Sequence, residues 1–99
     1  MSVSFTKIAR EHIRAIRIYS THQWGKDVAE AYATSLRVTM TDILDPHPSS
    51  GRNRSADLHL GVLSFPVESH IIYYQIVATG IEVLAVLHQS QDPHKHLNK

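Results

Sequence analysis

The residues of this chain best suited to chemistry near neutral pH are its eight histidines: His12, His22, His47, His59, His70, His88, His94 and His96. Imidazole titrates close to neutrality, so it serves as general acid or base. His59, His70 and His88 fall one on each of three late strand-like runs, where all three can face one patch. The competing reading is a set of hydrogen-bonded structural histidines at strand ends. No carboxylate spacing fixes a triad. No Gly-x-Ser-x-Gly elbow, phosphate loop or dinucleotide fingerprint occurs. His94-x-His96 has a metal-like spacing, but it sits in a polar tail that offers no closed ligand shell, so neither a metal nor a cofactor is expected. Arg52 and Arg54 lie in a loop-forming stretch, Ser49 to Ser55, and can meet an anion or an acidic partner. A solvated loop is the alternative.

Composition bounds what these residues can serve. A chain of 99 residues with 42% hydrophobic and 19% charged residues predicts one domain over 1–99, and too much apolar matter for disorder. The formal net charge of +1 gives no support to direct, specific nucleic-acid binding. Cysteine is absent, which excludes a disulfide framework, thiol catalysis and cysteine metal sites, and suits a reducing cytoplasm. Met1 to Lys7 has no apolar signal-peptide core. Ile71 to Leu87 is mostly apolar, but Gln75, Thr79, Gly80 and Glu82 interrupt it. Ala78-Thr79-Gly80 reads as a turn between strands, so no membrane-spanning helix is expected.

The elements that must position these groups follow from periodicity. Val3 and Phe5 suggest a strand from Ser2 to about Ile8. Ala9, Ile13 and Ile16, followed by Tyr19 or Ser20, recur at helical spacing and predict a helix over about Ala9 to His22. Arg10, Arg14 and Arg17 share another side of it, either a face for an acidic partner or a solvated face. His22-Gln-Trp-Gly25 breaks the pattern. A second helix is expected from Lys26 to Leu44, with Asp27 and Glu30 in its first turn. Asp45-Pro46-His47-Pro48 ends it. So short a joint makes the two helices an antiparallel hairpin. Asp57 to Val62 alternates like a strand, with Pro66 as its end or a bulge. His70 to Val77 and Ile81 to His88 are two further strands, and Ser90 to Lys99 is a tail or short cap. The order is β-α-α-β-β-β, an α+β fold with the helical hairpin packed on one face of a mainly antiparallel sheet.

Two helices cover only one face of such a sheet, and the other face should then be polar. Yet Ile71 to Val77 and Ile81 to Leu87 do not alternate. Their apolar residues on both faces call for a second cover: a partner chain, a second copy or the C-terminal tail. Ile72, Tyr74, Ile76, Leu84 and Val86 are the candidate partner-binding residues.

Together these pieces resemble the ParE toxins of the ParE/RelE superfamily of bacterial toxin–antitoxin pairs, over Val3 to Leu97. The resemblance rests on Trp24-Gly25, Ala31-Tyr32, Leu36, Pro48, Gly51, Leu58 and Ser64-Phe65-Pro66-Val67. It continues through Ser69-His70-Ile71-Ile72-Tyr73-Tyr74 and Val86-Leu87-His88, followed by Asp92. It implies the same β-α-α-β-β-β fold and a cognate ParD-like antitoxin whose C-terminal segment wraps and neutralises the toxin as a hetero-oligomer. It also implies DNA gyrase as the target, action by binding and not by catalysis, and a cytoplasmic location. Arg52, Arg54, His59, His70 and His88 are the candidate target contacts. The RelE branch instead cuts messenger RNA on the ribosome; on that alternative His70 and His88 are the candidate acid and base. An RNA-cutting member needs clustered Lys or Arg to stabilise charge during cleavage, and Leu58 to Gln91 contains neither. Many relatives carry basic residues where this chain has His59, Leu63, Gln75 and Gln91. That departure leaves a third reading, a relative without toxicity that only binds an antitoxin.

Overall fold

The computed structural model describes residues 2–97. Strand β1 (Ser2–Phe5) leads into helix α1 (Lys7–Trp24), helix α2 (Lys26–Val38) and a π-helical turn, Thr39–Leu44. Strands β2 (Arg52–Asn53), β3 (Leu63–Val67), β4 (His70–Val77) and β5 (Gly80–His88) follow, and a short helix α3 (His94–Leu97) ends the described chain. The sheet order is β1-β5-β4-β3-β2. Only the β1–β5 pair is parallel. The expected α+β hairpin-on-sheet architecture therefore stands, with β2 as an added edge strand.

Several boundaries differ from expectation for identifiable reasons. The first strand stops at Phe5 because Thr6 caps α1, its hydroxyl accepting from the Ala9 amide at 3.1 Å. Gly25, at φ 88°, lets α1 stop and α2 start around one residue. The second helix does run to Leu44, but its end widens into a π-turn closed by the Asp45 amide on the Met40 carbonyl. Asp57 to Val62 is not a strand. It folds as turns whose Leu58 and Val62 are buried, so its alternation reflects two anchor points on the sheet and not pleating. Pro66 does not end a strand but lies inside β3. It faces Ile71 beyond the reach of the two-residue β2, so its missing N–H falls on an open edge.

The missing alternation has two causes. At Tyr73/Tyr74 the β4–β5 register shifts: Tyr73 faces Ala85 while Tyr74 faces Val83, leaving Leu84 as a bulge. Ile81 and Val83 before it, and Val86 after it, point to the helices, whereas Ala85 and Leu87 point the other way. Thr6 secures the bulge through its hydroxyl on the Leu84 carbonyl (3.0 Å) and its amide on the Val83 carbonyl (3.1 Å). The second cause is a second core. Leu58, Val62, Tyr73, Ala85 and Leu87 pack together with Ile71, Leu84 and Leu97. The loop before β3 and the C-terminal segment therefore cover the second face, which resolves the open choice of cover in favour of this chain itself.

Candidate functional site

Two concavities flank α1. One is a cleft of about 560 Å³ between α1 and the ends of β4 and β5, lined by His12, Tyr19, Trp24, His70, His88 and Ser90 among others. The other is a groove of about 780 Å³ between the helical hairpin and β1.

The cleft gathers imidazoles that the sequence pattern placed only in part. His70 and His88 pair across β4 and β5, with ring centroids 5.4 Å apart and edge to face. His59, expected beside them, is elsewhere: it is exposed on the turn before β3, its Nδ1 3.3 Å from the Leu60 carbonyl. The third imidazole is His12 of α1, whose Nδ1 accepts the Val86 amide at 3.3 Å. Its role left no sequence signal beyond helical phase. Tyr32 of α2 ties the cleft to the hairpin between β3 and β4. Its oxygen accepts the Ser69 amide (3.2 Å) and lies 3.0 Å from the Ser69 hydroxyl, and it makes a short hydrogen bond with His70 Nδ1. The Ser69 amide donates to Tyr32, and the directions of the Tyr32–Ser69 hydroxyl and Tyr32–His70 hydrogen bonds follow the His70 tautomer. Burial, and then the neighbouring His88, lowers the His70 pKa. Burial and then His96 lower that of His12, against a smaller opposing effect of Glu11.

This arrangement limits the chemistry. Nδ1 of His70 is engaged with Tyr32. Nδ1 of His88 accepts the Ser90 amide at 3.1 Å, so His88, like His12, uses its Nδ1 lone pair structurally and, when neutral, carries the proton on Nε2. A ring in that state can donate a hydrogen bond but has no lone pair left to act as a base. No Lys or Arg lines the cleft.

The two candidate arginines differ. Arg52 is exposed on β2. Arg54 is committed: it pairs with Asp57 at 2.7 Å, reaches the Ser64 hydroxyl at 3.4 Å and lies over the Tyr73 ring at 5.8 Å. Asp57, held below the usual carboxylate range chiefly by its hydrogen bond with Arg54, offers its carbonyl to His94 Nε2 at 2.7 Å. His94 Nδ1 meets Asp92 at 3.0 Å, and these two acceptors, Asp92 foremost, raise the His94 pKa. This chain of contacts latches the tail to the loop over the second core. Among the described residues no group of His, Asp or Glu is arranged to hold a metal ion.

The five candidate partner residues also separate. Ile72, Tyr74 and Val86 lie in the helix-side core at 0%, 0% and 2% exposure, out of reach of any partner. This corrects the expectation, and its reason is that the helices, not a partner, cover them. Leu84 is half-buried, and Ile76 stands 53% exposed. The groove supplies what those residues do not. Val3, Phe5, Ile13, Leu36 and Met40 line it, with Arg17 and Arg37 but also Glu30 and Asp45 in its walls. Beside it runs the open edge of β1. The Ser2 and Thr6 amides bond inward to Thr79 and Val83, so Val3 and Phe5 turn their main-chain groups outward.

The fold matches that of a solved structure described as a chromosomal ParDE TA system from P. aeruginosa. The two superpose with a TM-score of 0.72 over 89% of this chain and 95% of that one, at 19% identity. Toxin ParE1 of Caulobacter vibrioides is 32% identical over 89 residues, 90% of each chain. The family model for the ParE toxin of the type II toxin-antitoxin system parDE matches residues 3–93. The chain belongs to the ParE toxin family.

Proposed function

We propose that this toxin acts in the cytoplasm by binding DNA gyrase and blocking replication, without covalent chemistry of its own. We further propose that a ParD-like antitoxin silences it by occupying the groove beside β1. The observation that carries the second part is the conjunction in one place of an apolar trough, an unpaired strand edge and two guanidinium groups. An extended or helical segment with apolar and acidic residues would add backbone pairing along Val3 and Phe5, apolar burial, and ion pairs to Arg17 and Arg37. The state of the cleft supports a binding mode of action. RNA cleavage needs a cation to stabilise the developing charge, and no Lys or Arg lines the cleft beside the His70–His88 pair, while Nδ1 of His88 is taken by the Ser90 amide. Of the candidate target contacts, Arg52 and His59 are exposed and available, and Arg54 is held in place by Asp57.

Induction of the chain alone, and together with the neighbouring reading frame, tests the reading. Growth arrest with unsegregated chromosomes and intact messenger RNA is expected on solo induction, with rescue on co-induction. Unaffected growth on solo induction contradicts toxicity, and degraded messenger RNA restores the nuclease alternative.

A further inference from the structure

The histidine cleft is rich in donors and has no Asp or Glu in its lining. His12 accepts from the Val86 amide and His88 from the Ser90 amide through Nδ1, and Nδ1 of His70 is hydrogen-bonded to the Tyr32 hydroxyl. His12 and His88 therefore retain an Nε2–H, and His70 presents its Nε2 to the same cleft. None of these three Nε2 atoms has a hydrogen-bond partner among the described residues. These Nε2 atoms are open to solvent, not buried, so a negatively charged oxygen can replace water at them. One wall of the same cleft is aromatic. Tyr19 and Trp24 pack edge to face at 5.9 Å, yet remain 58% and 53% exposed, an apolar surface that nothing among the described residues covers. The cleft volume of about 560 Å³ lies in the range of small-ligand sites.

We propose that this cleft is a binding site for a small oxyanion carried on an aromatic body, with His12, His70 and His88 donating through Nε2 and the Tyr19–Trp24 pair covering the body. The oxyanion is a phosphate monoester or a carboxylate, which present the same acceptors. The site is separate from the basic face of α1, since Lys7, Arg10, Arg14 and Arg17 do not line it. It adjoins the groove assigned to the antitoxin, with which it shares Ile16 and Ser20. The titratable neighbours of the three rings are Glu11 and Tyr19 on α1, Tyr32 on α2 and His96 on α3. An anion among the rings offsets the burial that keeps His12 and His70 neutral, so binding raises the titration midpoints of both.

The test is a titration of the full-length chain, followed through the imidazole Cε1–H signals in NMR, with inorganic phosphate, phenyl phosphate and phenylacetate. The His12, His70 and His88 signals are expected to move together and saturate, with a dissociation constant on the order of 1 mM or tighter for the better phenyl ligand. His22 and His47 should stay still. Phenyl phosphate outranking phenylacetate assigns the site to phosphate monoesters, and the reverse assigns it to carboxylates. Inorganic phosphate should bind more weakly than phenyl phosphate, since it leaves the aromatic wall bare. His88→Gln is expected to weaken the better ligand about fivefold, the loss of one hydrogen bond, whereas His47→Gln should leave it unchanged. Signals that drift without saturating, or that move equally at His22 and His47, overturn the site. A folded His88→Gln protein with undiminished affinity does the same.

Discussion

Tyr32 shows how much one atom can hold together here. Its oxygen joins α2 to Ser69 and His70 at the tight turn between β3 and β4, where Glu68 sits at φ 55°. Tyr32→Phe is expected to destabilise the fold by about 1–2 kcal/mol, because the Ser69 amide loses its acceptor and His70 its hydrogen-bond partner; a shift in the urea midpoint measures it. Tyr74 plays a matching part on the same, helix-side face of the sheet. Its hydroxyl accepts the Gly51 amide at 2.9 Å and donates to the Pro48 carbonyl at 2.7 Å. A Cβ at residue 51 would overlap that hydroxyl, so Gly51→Ala should cost about 1–3 kcal/mol by overpacking. The histidines set the acid response. His12 and His70 titrate below the ordinary value in the folded chain, so near and below about pH 6.5 the unfolded chain binds more protons. Stability should therefore fall as pH drops through that window, and His70→Gln should flatten the decline seen in denaturant melts at stepped pH. His94 runs the other way. Its raised midpoint means the tail contact is present at low pH and is lost as pH rises through that midpoint.

Among the elements, the long periodic ones were legible in the sequence and the covered sheet face was not. Helical spacing located α1, α2 and the joint at Gly25, because those patterns repeat over several turns. The strand Asp57 to Val62 was misread because Leu58 and Val62 anchor a turn-rich loop at a spacing that imitates pleating. The bulge at Leu84 was invisible because an inserted residue leaves no mark of its own. It shows only as a lost alternation, which also fits a partner-covered face. For the site, His70 and His88 were recognised through their strand ends. His12, Tyr32 and the Asp57–His94 latch depend on long-range approach that no local pattern encodes. The second core depends on the tail, through Leu97 and the His94 contacts. Leu97→Ala is expected to cost about 1–2 kcal/mol and to speed amide exchange in residues 54–62, which hydrogen-exchange mass spectrometry resolves. Unchanged exchange there would mean that the loop holds itself in place.

Across the whole molecule, charge is segregated although the net value is small. Helix α1 carries Lys7, Arg10, Arg14 and Arg17 against Glu11 alone, while the rest of the chain has more acids than bases. None of those four cations makes an ion pair among the described residues. Such a face steers an acidic partner toward the groove that α1 borders. Reversing both rim charges, Arg17→Glu with Arg37→Glu, should weaken antitoxin binding at least about tenfold, read by calorimetry, while the melting profile stays close to that of the parent. The central claim, a toxin that works by binding gyrase until its antitoxin occupies it, is tested most directly by supercoiling of relaxed plasmid with purified gyrase. The account expects the free chain to stop supercoiling in a dose-dependent way and the antitoxin to restore it. Full supercoiling in the presence of excess folded, antitoxin-free chain would contradict it.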